Sequence, residues 1–370
     1  MEKKYMDREY TQRLEKIEAV LQAWLPEHLD PAGAAYPWMT QIFGCGEGAL
    51  PSELVTVLTQ PGWDLFHRGG KRWRPLLMTL VCEVLGGGDR ALPLTPLVEF
   101  PHTASLIHDD IEDNADERRG EPAIHIRYGT DTAINTGAFL YFLALACISP
   151  WNVSAERKNQ VFEFWGASMR RLHLGQAMDI HWHRDFSSLP SLEAYDRMCR
   201  LKTGSLARLA AVLGVLAALP ADTVPEHETF LFNALGKAAE NVGVGFQILD
   251  DVKNLTTGNP GKKRGDDVVE GKKSLPVLLY LYRHVDHQEW VSRCFSAARQ
   301  GGSSVSEVAD LIGALTASGV LIEAAERGRS LIREAREVFS HIPGAAQGSA
   351  ALLGGLLDFI GGTSFNDKEA

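Results

Sequence analysis

The chain has 370 residues, of which 45% are hydrophobic and 23% are charged, and its formal net charge is −10. This is the composition of a globular protein long enough to bury a large core, and the negative charge argues against a nucleic acid as a partner, because phosphate backbones bind basic surfaces. The cysteines form no Cys-x-x-Cys pair, so their spacing indicates reduced thiols rather than disulfides or a zinc site, and we expect a cytoplasmic protein.

Neither an export signal nor a transmembrane segment is expected. The amino terminus is charged where a signal peptide needs an apolar core. The longest apolar runs, at residues 138–148 and 206–219, are shorter than the roughly 20 residues that span a bilayer. These runs are typical of buried core helices.

Residues 1–62 are predicted to form an N-terminal helical extension and an irregular segment. Over residues 2–24 the apolar side chains fall on one stripe, which indicates an amphipathic helix with a role in packing or dimer contact. After this helix, frequent Pro and Gly predict irregular structure that is interrupted by a short helix at residues 52–58.

A basic segment precedes the next predicted helix. Gly69 and Gly70 are followed by Lys71 and Arg74, and an apolar helix is predicted at residues 76–85. Glycines let the backbone approach a ligand closely, and the amides at a helix start favour an anion. By itself this segment is compatible either with a diphosphate site or with a basic loop at the start of a helix.

The first acidic cluster lies near the end of a helix predicted from about residue 94. In a helix, Asp109 and Asp113 lie one turn apart with Asp110 beside them, and like charges at this spacing repel one another. Such oxygen ligands suit Mg²⁺, which completes its coordination shell with waters and substrate phosphates. His102 lies two turns earlier on about the same face, where it could hydrogen-bond a diphosphate oxygen. Two arginines, whose planar forks match phosphate oxygens, come next: Arg118 and Arg119.

A second acidic cluster, formed by Asp250, Asp251 and the amide of Asn254, repeats this design. Either cluster alone is also compatible with a solvated acidic helix face. Both clusters, however, follow apolar runs of the kind that mark a buried face, so we expect the acids at the rim of a buried cavity. Two such helices facing each other would clamp one polyphosphate through shared metal ions.

The other segments are also predicted to be helical, at residues 131–149, 155–183 and 205–219 and from about residue 291 onward. Alternating strand patterns are scarce, and no Asn-Gly or Asp-Gly hairpin signal is present. The sequence therefore predicts an all-α protein, built as a single large helical bundle around a central cavity.

Together these motifs resemble those of the trans-isoprenyl diphosphate synthases of the polyprenyl synthetase family. The resemblance runs from Gly69 to Pro276 and follows the family order. The motifs are Gly-Gly-Lys-Arg-x-Arg-Pro, His-x-x-x-x-x-x-Asp-Asp-x-x-Asp, Arg-Arg-Gly, Gly-Gln-x-x-Asp, Lys-Thr-Gly, Phe-Gln-x-x-Asp-Asp and Gly-Lys-x-x-x-Pro. The first acidic run and residues 175–182 are most similar to the geranylgeranyl diphosphate synthases of eukaryotic type.

The resemblance implies a trans-prenyltransferase, which transfers alkyl groups other than methyl from an allylic diphosphate to isopentenyl diphosphate. It implies Mg²⁺ as the cofactor, with about three ions around the bound diphosphate, and a homodimer. We place the catalytic all-α domain at residues 63–362, and the polar composition of residues 363–370 predicts a tail.

The resemblance also implies roles for individual residues. Metal ions would be held by Asp109, Asp110, Asp113, Asp250, Asp251 and Asn254. The allylic diphosphate would be neutralised by Arg118, Lys202 and Lys272. The diphosphate of isopentenyl diphosphate would be bound by Lys71, Arg74, His102 and Arg119. At the reacting carbons, a developing cation would be stabilised by the dipoles of Thr203 and Gln247.

Product length can be argued from the helix that carries the first acidic cluster. Ala104 and Ser105 lie about one turn, or roughly 5.4 Å, before Asp109, where short-product relatives have aromatic rings. Small side chains leave the cavity wall open, so we expect a product longer than farnesyl diphosphate, namely geranylgeranyl diphosphate. Pro101, one turn lower, should kink or distort the helix, and Phe100 is a candidate for the floor.

Other readings of the motifs stay open. A farnesyl or a longer polyprenyl diphosphate synthase would keep the same motifs, whereas a non-catalytic regulatory subunit of a heteromeric synthase would be expected to have lost acids. A terpene cyclase usually has Ser or Thr and then Glu where this chain has Asn254 and Gly258. Many relatives have Asp in place of Asn254, and the lower negative charge of Asn should weaken the binding of a metal ion there. Ala138 also stands where many relatives have Asp.

Overall fold

The computed structural model describes residues 2–27, 40–44, 52–220, 225–258, 263–342 and 344–362, and within them the regular structure is almost entirely helical. The α-helices are α1 (Glu2–Trp24), α2 (Ser52–His67), α3 (Trp73–Val84), α4 (Pro96–Glu112), α5 (Ile124–Tyr128), α6 (Thr130–Leu145), α7 (Ala155–Arg184), α8 (Leu192–Cys199), α9 (Ser205–Ala218), α10 (Pro225–Thr256), α11 (Asp266–Glu270), α12 (Leu275–Arg283), α13 (Gln288–Gly301), α14 (Ser306–Ala317), α15 (Val320–Ser340) and α16 (Gln347–Ile360). Shorter turns are the 3-10 segments Gly88–Leu94, Ala146–Ile148 and Val285–His287 and the π-turn Arg200–Gly204. The all-α prediction is confirmed.

The chain divides into two compact units. Unit 1 comprises Met1–Trp165, Leu209–Thr229 and Gly344–Leu352. Unit 2 comprises Gly166–Arg208, Phe230–Pro343 and Leu353–Ala370. The domain boundaries drawn from the sequence stay a prediction, and the tail predicted at residues 363–370 lies outside the described residues, as does much of the irregular segment before α2.

Helix α1 is an integral part of unit 1. Its apolar stripe is fully buried at Ile17 and Leu21, and Arg13 forms an ion pair of 2.8 Å with Glu83 of α3. Because burial of this stripe removes apolar surface from water, the N-terminal helix packs onto the unit as its amphipathic pattern indicated.

Helix α2 is longer than predicted. The expected short helix at residues 52–58 continues to His67, through Pro61. Proline removes one backbone donor from a helix, but neighbouring contacts with α6 hold this turn: Thr136 Oγ1 donates to the Leu58 carbonyl at 2.9 Å. The prediction of irregular structure here was wrong because packing outweighed local propensity.

Helix α4 carries the first acidic cluster and continues through Pro101 without a break. Its close neighbour is α6, where Gly137 lies against the His108 ring; an added Cβ would come within 2.4 Å of His108 Nε2. The glycine therefore allows α6 to approach α4 closely, and this packing supports the last turns of α4.

A small hairpin follows α4, which the absence of Asn-Gly and Asp-Gly had argued against. Strands β1 (Glu117–Arg118) and β2 (Glu121–Pro122) pair antiparallel. The residues of the turn between them, Arg119 and Gly120, both have positive φ, at 58° and 78°. A left-handed arginine is uncommon, so tertiary contacts of its side chain, described below, decide this turn.

In unit 2, small residues bring α10 close to its neighbours. A Cβ on Gly243 would lie 2.8 Å from the Gly204 Cα, and one on Gly245 would lie 2.5 Å from the Gly328 carbonyl oxygen. Glycine permits such close backbone approach. The first contact places Thr203 directly beside α10, which carries the second acidic cluster.

Within the part of the chain that the structure describes, two helical stretches are long and apolar enough to cross a membrane by length and composition alone, Thr130–Ile148 and Leu192–Ala218, and the bent pair of α14 and α15 passes the same test as one span. Burial within the protein reaches 50% of the first stretch and 78% of the second. This burial fits the predicted core helices, and the expected absence of a membrane span stays a prediction.

Candidate functional site

The first acidic cluster occupies the last turn of α4 in unit 1. Asp109 and Asp113 lie one turn apart, and the Asp113 amide donates a backbone hydrogen bond of 2.8 Å to the Asp109 carbonyl. Both side chains are partly exposed. Asp110, between them, is fully buried. The sequence analysis named all three acids as metal ligands, with Asp110 beside the other two, whereas the structure separates two accessible carboxylates from one buried carboxylate.

Asp110 holds Arg118 of the hairpin. Arg118 Nε donates to Asp110 Oδ1 at 2.8 Å, and Arg118 Nη2 donates to the same oxygen. Burial raises the pKa of Asp110 although Arg118 opposes the shift, and among the described residues its Oδ2 has no hydrogen-bond partner. This carboxylate orients Arg118, and its predicted role as a metal ligand stays a prediction.

A cationic cluster, formed by Arg74, Arg119 and His102, lies near the hairpin in the same unit. Arg74 is buried and its guanidinium lies 4.4 Å from the centre of the Trp73 ring. In the described part of the chain its Nε has no hydrogen-bond acceptor. Burial lowers the pKa of Arg74 to about 10. A buried donor without an acceptor is costly, so this group suits an anionic ligand.

Arg119 and His102 belong to this cluster. Arg119 Nη1 donates to the carbonyls of Leu65, at 3.0 Å, and of Gly69, which fixes the left-handed turn of the hairpin. Burial, followed by repulsion from Arg72, lowers the pKa of Arg119 to about 10. Burial and then the surrounding arginines also hold the pKa of His102 well below its usual value, so this imidazole is neutral at pH 7. Lys71 is exposed.

The sequence analysis missed the ion pairs that position the basic segment. Arg72 forms ion pairs of 2.8 Å with Glu99 and 2.7 Å with Glu18. A Cβ on Gly70, whose φ is 150°, would lie 3.0 Å from guanidinium nitrogens of Arg72 and Arg119. The glycine therefore makes room for arginines in this structure. No sequence signal distinguished Glu99 from other acidic residues.

The residues predicted to set product length lie on α4 before the acids. Phe100, Pro101 and Ala104 are buried, and Ser105 is partly exposed. The Ser105 hydroxyl donates to the His102 carbonyl at 2.8 Å. The hydroxyl is thus satisfied within its own helix. The side chain at this position is small, as the argument on product length requires.

The second acidic cluster lies on α10 in unit 2 and shows the same division. Asp250 is exposed, whereas Asp251 is buried. Asp251 accepts hydrogen bonds from Gln247 Nε2, at 2.8 Å, and from the Tyr195 hydroxyl, at 3.1 Å. Burial, reinforced by the nearby Asp267 carboxylate, raises the pKa of Asp251 to about 8. The second acid of each cluster is therefore buried and held by protein groups.

Asn254 anchors the loop that follows α10. It is fully buried; its Oδ1 accepts from the Asp267 amide at 3.2 Å, and its Nδ2 donates to the Lys263 carbonyl at 3.3 Å. Both ends of the amide bind backbone, so the structure gives Asn254 an anchoring role that the sequence had not suggested. Its role as a metal ligand stays a prediction.

The π-turn after α8 carries two predicted site residues. Thr203 Oγ1 donates to Gln247 Oε1 at 2.7 Å, which continues a line of hydrogen bonds to Asp251. Lys202 Nζ pairs with Asp179 of α7 at 2.6 Å. A Cβ on Gly175 would lie 2.3 Å from the Lys202 backbone nitrogen. The Gly-Gln-x-x-Asp motif thus supplies a close approach and an ion-pair partner for Lys202.

Lys272 follows α11 and is the other cation predicted for the allylic diphosphate. Its Nζ lies 2.5 Å from Glu270 Oε2 and 3.9 Å from Asp267 Oδ1. In the described ranges no group of three or more His, Cys, Asp or Glu side chains is arranged to hold a metal ion. Carboxylates are oxygen ligands that Mg²⁺ accepts together with waters and phosphates.

The chain is similar to known proteins both in sequence and in structure. The family model for polyprenyl synthetase matches residues 55–313. Geranylfarnesyl diphosphate synthase of Aeropyrum pernix is 33% identical over 305 residues, which cover 80% of this chain and 91% of that protein. The crystal structure of geranylgeranyl pyrophosphate synthetase from Pyrococcus horikoshii Ot3 is similar with a TM-score of 0.78 and 26% identity, covering 97% of this chain and 99% of that chain.

The crystal structure of geranylgeranyl pyrophosphate synthase from Corynebacterium glutamicum, complexed with isoprenyl diphosphate and magnesium, has a TM-score of 0.74 at 23% identity. It covers 95% of this chain and 98% of that chain, and at this identity the likeness concerns the fold. The family match covers most of the chain, and it includes both acidic clusters and the basic segment. The chain therefore belongs to the polyprenyl synthetase family, the trans-isoprenyl diphosphate synthases that its motifs resemble.

Proposed function

We propose that this protein condenses isopentenyl diphosphate with allylic diphosphates to give an all-trans prenyl diphosphate, and that its main product is geranylgeranyl diphosphate. The observation that carries the product assignment is the pair of small side chains, Ala104 and Ser105, one turn before the first acidic cluster on α4. The proposal assigns both acidic clusters to the allylic diphosphate and the cationic cluster of unit 1 to isopentenyl diphosphate.

Isopentenyl diphosphate would be bound by Arg74, Arg119, His102 and Lys71. The buried Nε of Arg74 would gain the acceptor that no described residue provides. Charge-assisted hydrogen bonds from guanidinium groups to phosphate are among the stronger ones in proteins. The neutral His102 would donate one hydrogen bond without adding charge to an already cationic cluster.

Asp109, Asp113 and Asp250 are the acids best placed to contact Mg²⁺, because their side chains are accessible whereas Asp110 and Asp251 are buried. The donor set fits the ion, since Mg²⁺ favours one or two carboxylates with waters and substrate phosphates. When bound, Mg²⁺ would neutralise negative charge that develops on the leaving diphosphate. We include in this proposal that three ions are bound, as the family resemblance implies.

The chemistry begins when the allylic C–O bond breaks and diphosphate leaves with the bonding electrons. Lys202, Lys272 and Arg118 would stabilise its negative charge, and their ion pairs with acids keep them oriented before the substrate binds. The double bond of isopentenyl diphosphate then attacks the allylic cation, and a proton is lost to the departed diphosphate. The hydrogen-bonded pair of Thr203 and Gln247 would direct its dipoles at the cation.

We also propose that the active form is a homodimer. On helices α6 and α7 of unit 1, three large apolar side chains are exposed: Ile134 at 50%, Phe142 at 71% and Phe162 at 44%. A second copy of the chain that packs on these helices would cover these side chains. The buried, reduced thiols of Cys82, Cys147, Cys199 and Cys294 support a cytoplasmic location.

The test is an assay of product chain length. Purified protein and Mg²⁺ are incubated with labelled isopentenyl diphosphate and, separately, with dimethylallyl, geranyl and farnesyl diphosphate, and a parallel sample receives a chelator. We expect a twenty-carbon product from each primer and none with the chelator. A fifteen-carbon or a much longer product would contradict the wall argument. Failure to elongate any primer would favour a regulatory subunit, and cyclic hydrocarbon would favour a cyclase.

A further inference from the structure

The loop that presents Lys272 is supported from behind by an aromatic ring. Gly271 ends α11 with a φ of 76°, and the Lys272 amide donates back to the Asp267 carbonyl at 2.9 Å. The ring of Phe186, which follows α7, lies against Gly271, because an added Cβ would come within 2.5 Å of Phe186 Cε1. The ring therefore restricts the path of the backbone before Lys272.

Arg299 of α13 ties this loop to the end of α7. Its Nη2 donates to the Glu270 carbonyl at 2.8 Å and to the His183 carbonyl at 3.0 Å. Its guanidinium also lies over the Phe186 ring, 4.3 Å from the centre. One side chain thus satisfies carbonyls at the ends of α7 and α11 and packs on the ring between them, which fixes the two chain segments together.

Lys273, the neighbour of Lys272, completes the arrangement. It is 3% exposed, and among the described residues no carboxylate lies within ion-pair distance of its Nζ. The ammonium instead lies 4.6 Å from the centre of the Phe295 ring and 5.5 Å from that of Phe186, and it donates to the Gly271 carbonyl at 3.4 Å. Burial lowers the pKa of Lys273 to about 8. A buried cation held on aromatic faces is costly to displace.

We propose that Phe186, Lys273 and Arg299 form a clamp that positions Lys272 for binding the allylic diphosphate. The inference rests on the proposed function, in which Lys272 contacts that diphosphate. The clamp residues act through the loop and do not touch substrate. They hold the backbone of residues 270–273, so that the Lys272 ammonium is oriented before the substrate arrives.

The first experiment compares Michaelis constants for the two substrates. In Arg299→Gln the loop loses its tie to α7, and because a misplaced binding group weakens substrate binding, we expect KM for farnesyl diphosphate to rise about tenfold. KM for isopentenyl diphosphate should change less than about twofold, since its proposed site lies on other elements. The matched control is Arg293→Gln on the same helix, where the side chain is 71% exposed; its constants should be those of the native protein.

Substitutions of Lys273 test whether the charge on the aromatic faces matters. Lys273→Met keeps most of the side chain's length but removes the cation, so KM for farnesyl diphosphate should rise, whereas Lys273→Arg should retain most of the native value. Equal increases in both Michaelis constants, or native constants in both Arg299→Gln and Lys273→Met, would overturn the positioning role.

A readout without turnover separates this inference from the proposed function. Backbone amides of residues 266–274 should exchange hydrogen faster in ligand-free Arg299→Gln than in the native protein or in Arg293→Gln. Unchanged exchange would overturn the clamp even if the protein elongates prenyl chains. Faster exchange in a protein that elongates no primer would support the clamp and contradict the proposed function.

Discussion

The Tyr195 hydroxyl donates a hydrogen bond of 3.1 Å to Oδ2 of Asp251, the buried acid of the second acidic cluster. The other oxygen of Asp251 accepts from Gln247, which in turn accepts from Thr203. Tyr195 thus lies at one end of a line of hydrogen bonds that includes Gln247 and Thr203, the residues predicted to lie at the reacting carbons.

Tyr195→Phe should weaken both stability and turnover. Removing the hydroxyl leaves an oxygen of the buried Asp251 carboxyl group without its donor, so the free energy of unfolding should fall by about 1–3 kcal/mol. Because Asp251, which accepts from Gln247, loses a fixed partner, Gln247 is held less firmly and kcat should fall by roughly tenfold. Tyr282→Phe is the control, since that hydroxyl bonds only the Pro190 carbonyl in the described structure. A native kcat in Tyr195→Phe would show that this line of bonds does not position Gln247 and Thr203.

Arg118→Lys tests the ion pair with Asp110. Lysine keeps the charge but loses the planar fork that binds Asp110 through two nitrogens. We expect kcat/KM for the allylic diphosphate to fall by roughly tenfold, as measured in steady-state assays. Arg127→Lys serves as a control, because Arg127 is 48% exposed and pairs with Asp64 at 3.3 Å. Equal effects of the two substitutions would contradict a special role for Arg118.

Arg74→Gln should affect one substrate only. Among the described residues the Nε of this buried guanidinium has no acceptor, and we assign it to isopentenyl diphosphate. KM for this substrate should therefore rise by about tenfold or more while KM for the allylic substrate is nearly unchanged. Arg8→Gln on the exposed face of α1 provides a control. A selective rise in KM for the allylic substrate would reverse the assignment of the two sites.

Ser105→Phe should shorten the product. A phenyl ring one turn before Asp109 would fill the wall that the small serine leaves open, and product analysis should show a shift from twenty to fifteen carbons. Ser105→Ala should leave product length unchanged, because it keeps the side chain small. If the product distribution of Ser105→Phe matches that of the native protein, another side chain sets product length.

Asn254→Asp separates anchoring from metal binding. The carboxylate cannot donate to the Lys263 carbonyl and places a charge in a fully buried position, so thermal unfolding should show a loss of about 1–3 kcal/mol. Asn233→Asp, on the exposed face of the same helix, should have little effect. If Asn254→Asp instead lowers the Mg²⁺ concentration needed for activity without loss of stability, the residue is a metal ligand.

Local patterns explain what could be read from the sequence. The period of apolar residues predicts helices wherever it is strong, as in α1, α6, α7 and α9, because each helix must bury one stripe. The order of short motifs points to the family, since each motif combines residue types that metal and diphosphate chemistry requires. The small residues before Asp109 could also be read directly, because one turn of helix fixes their distance from the acids.

Only the tertiary structure shows that residues of the same type have different roles. In each acidic cluster the second aspartate is buried and held by a side chain that is not its sequence neighbour, namely Arg118 for Asp110 and Tyr195 for Asp251. Likewise, α2 continues through Pro61, and Arg119 adopts a left-handed conformation in its hairpin. In each case the deciding free energy comes from burial and hydrogen bonds between residues that are not neighbours in the chain, and no local pattern predicts these contacts.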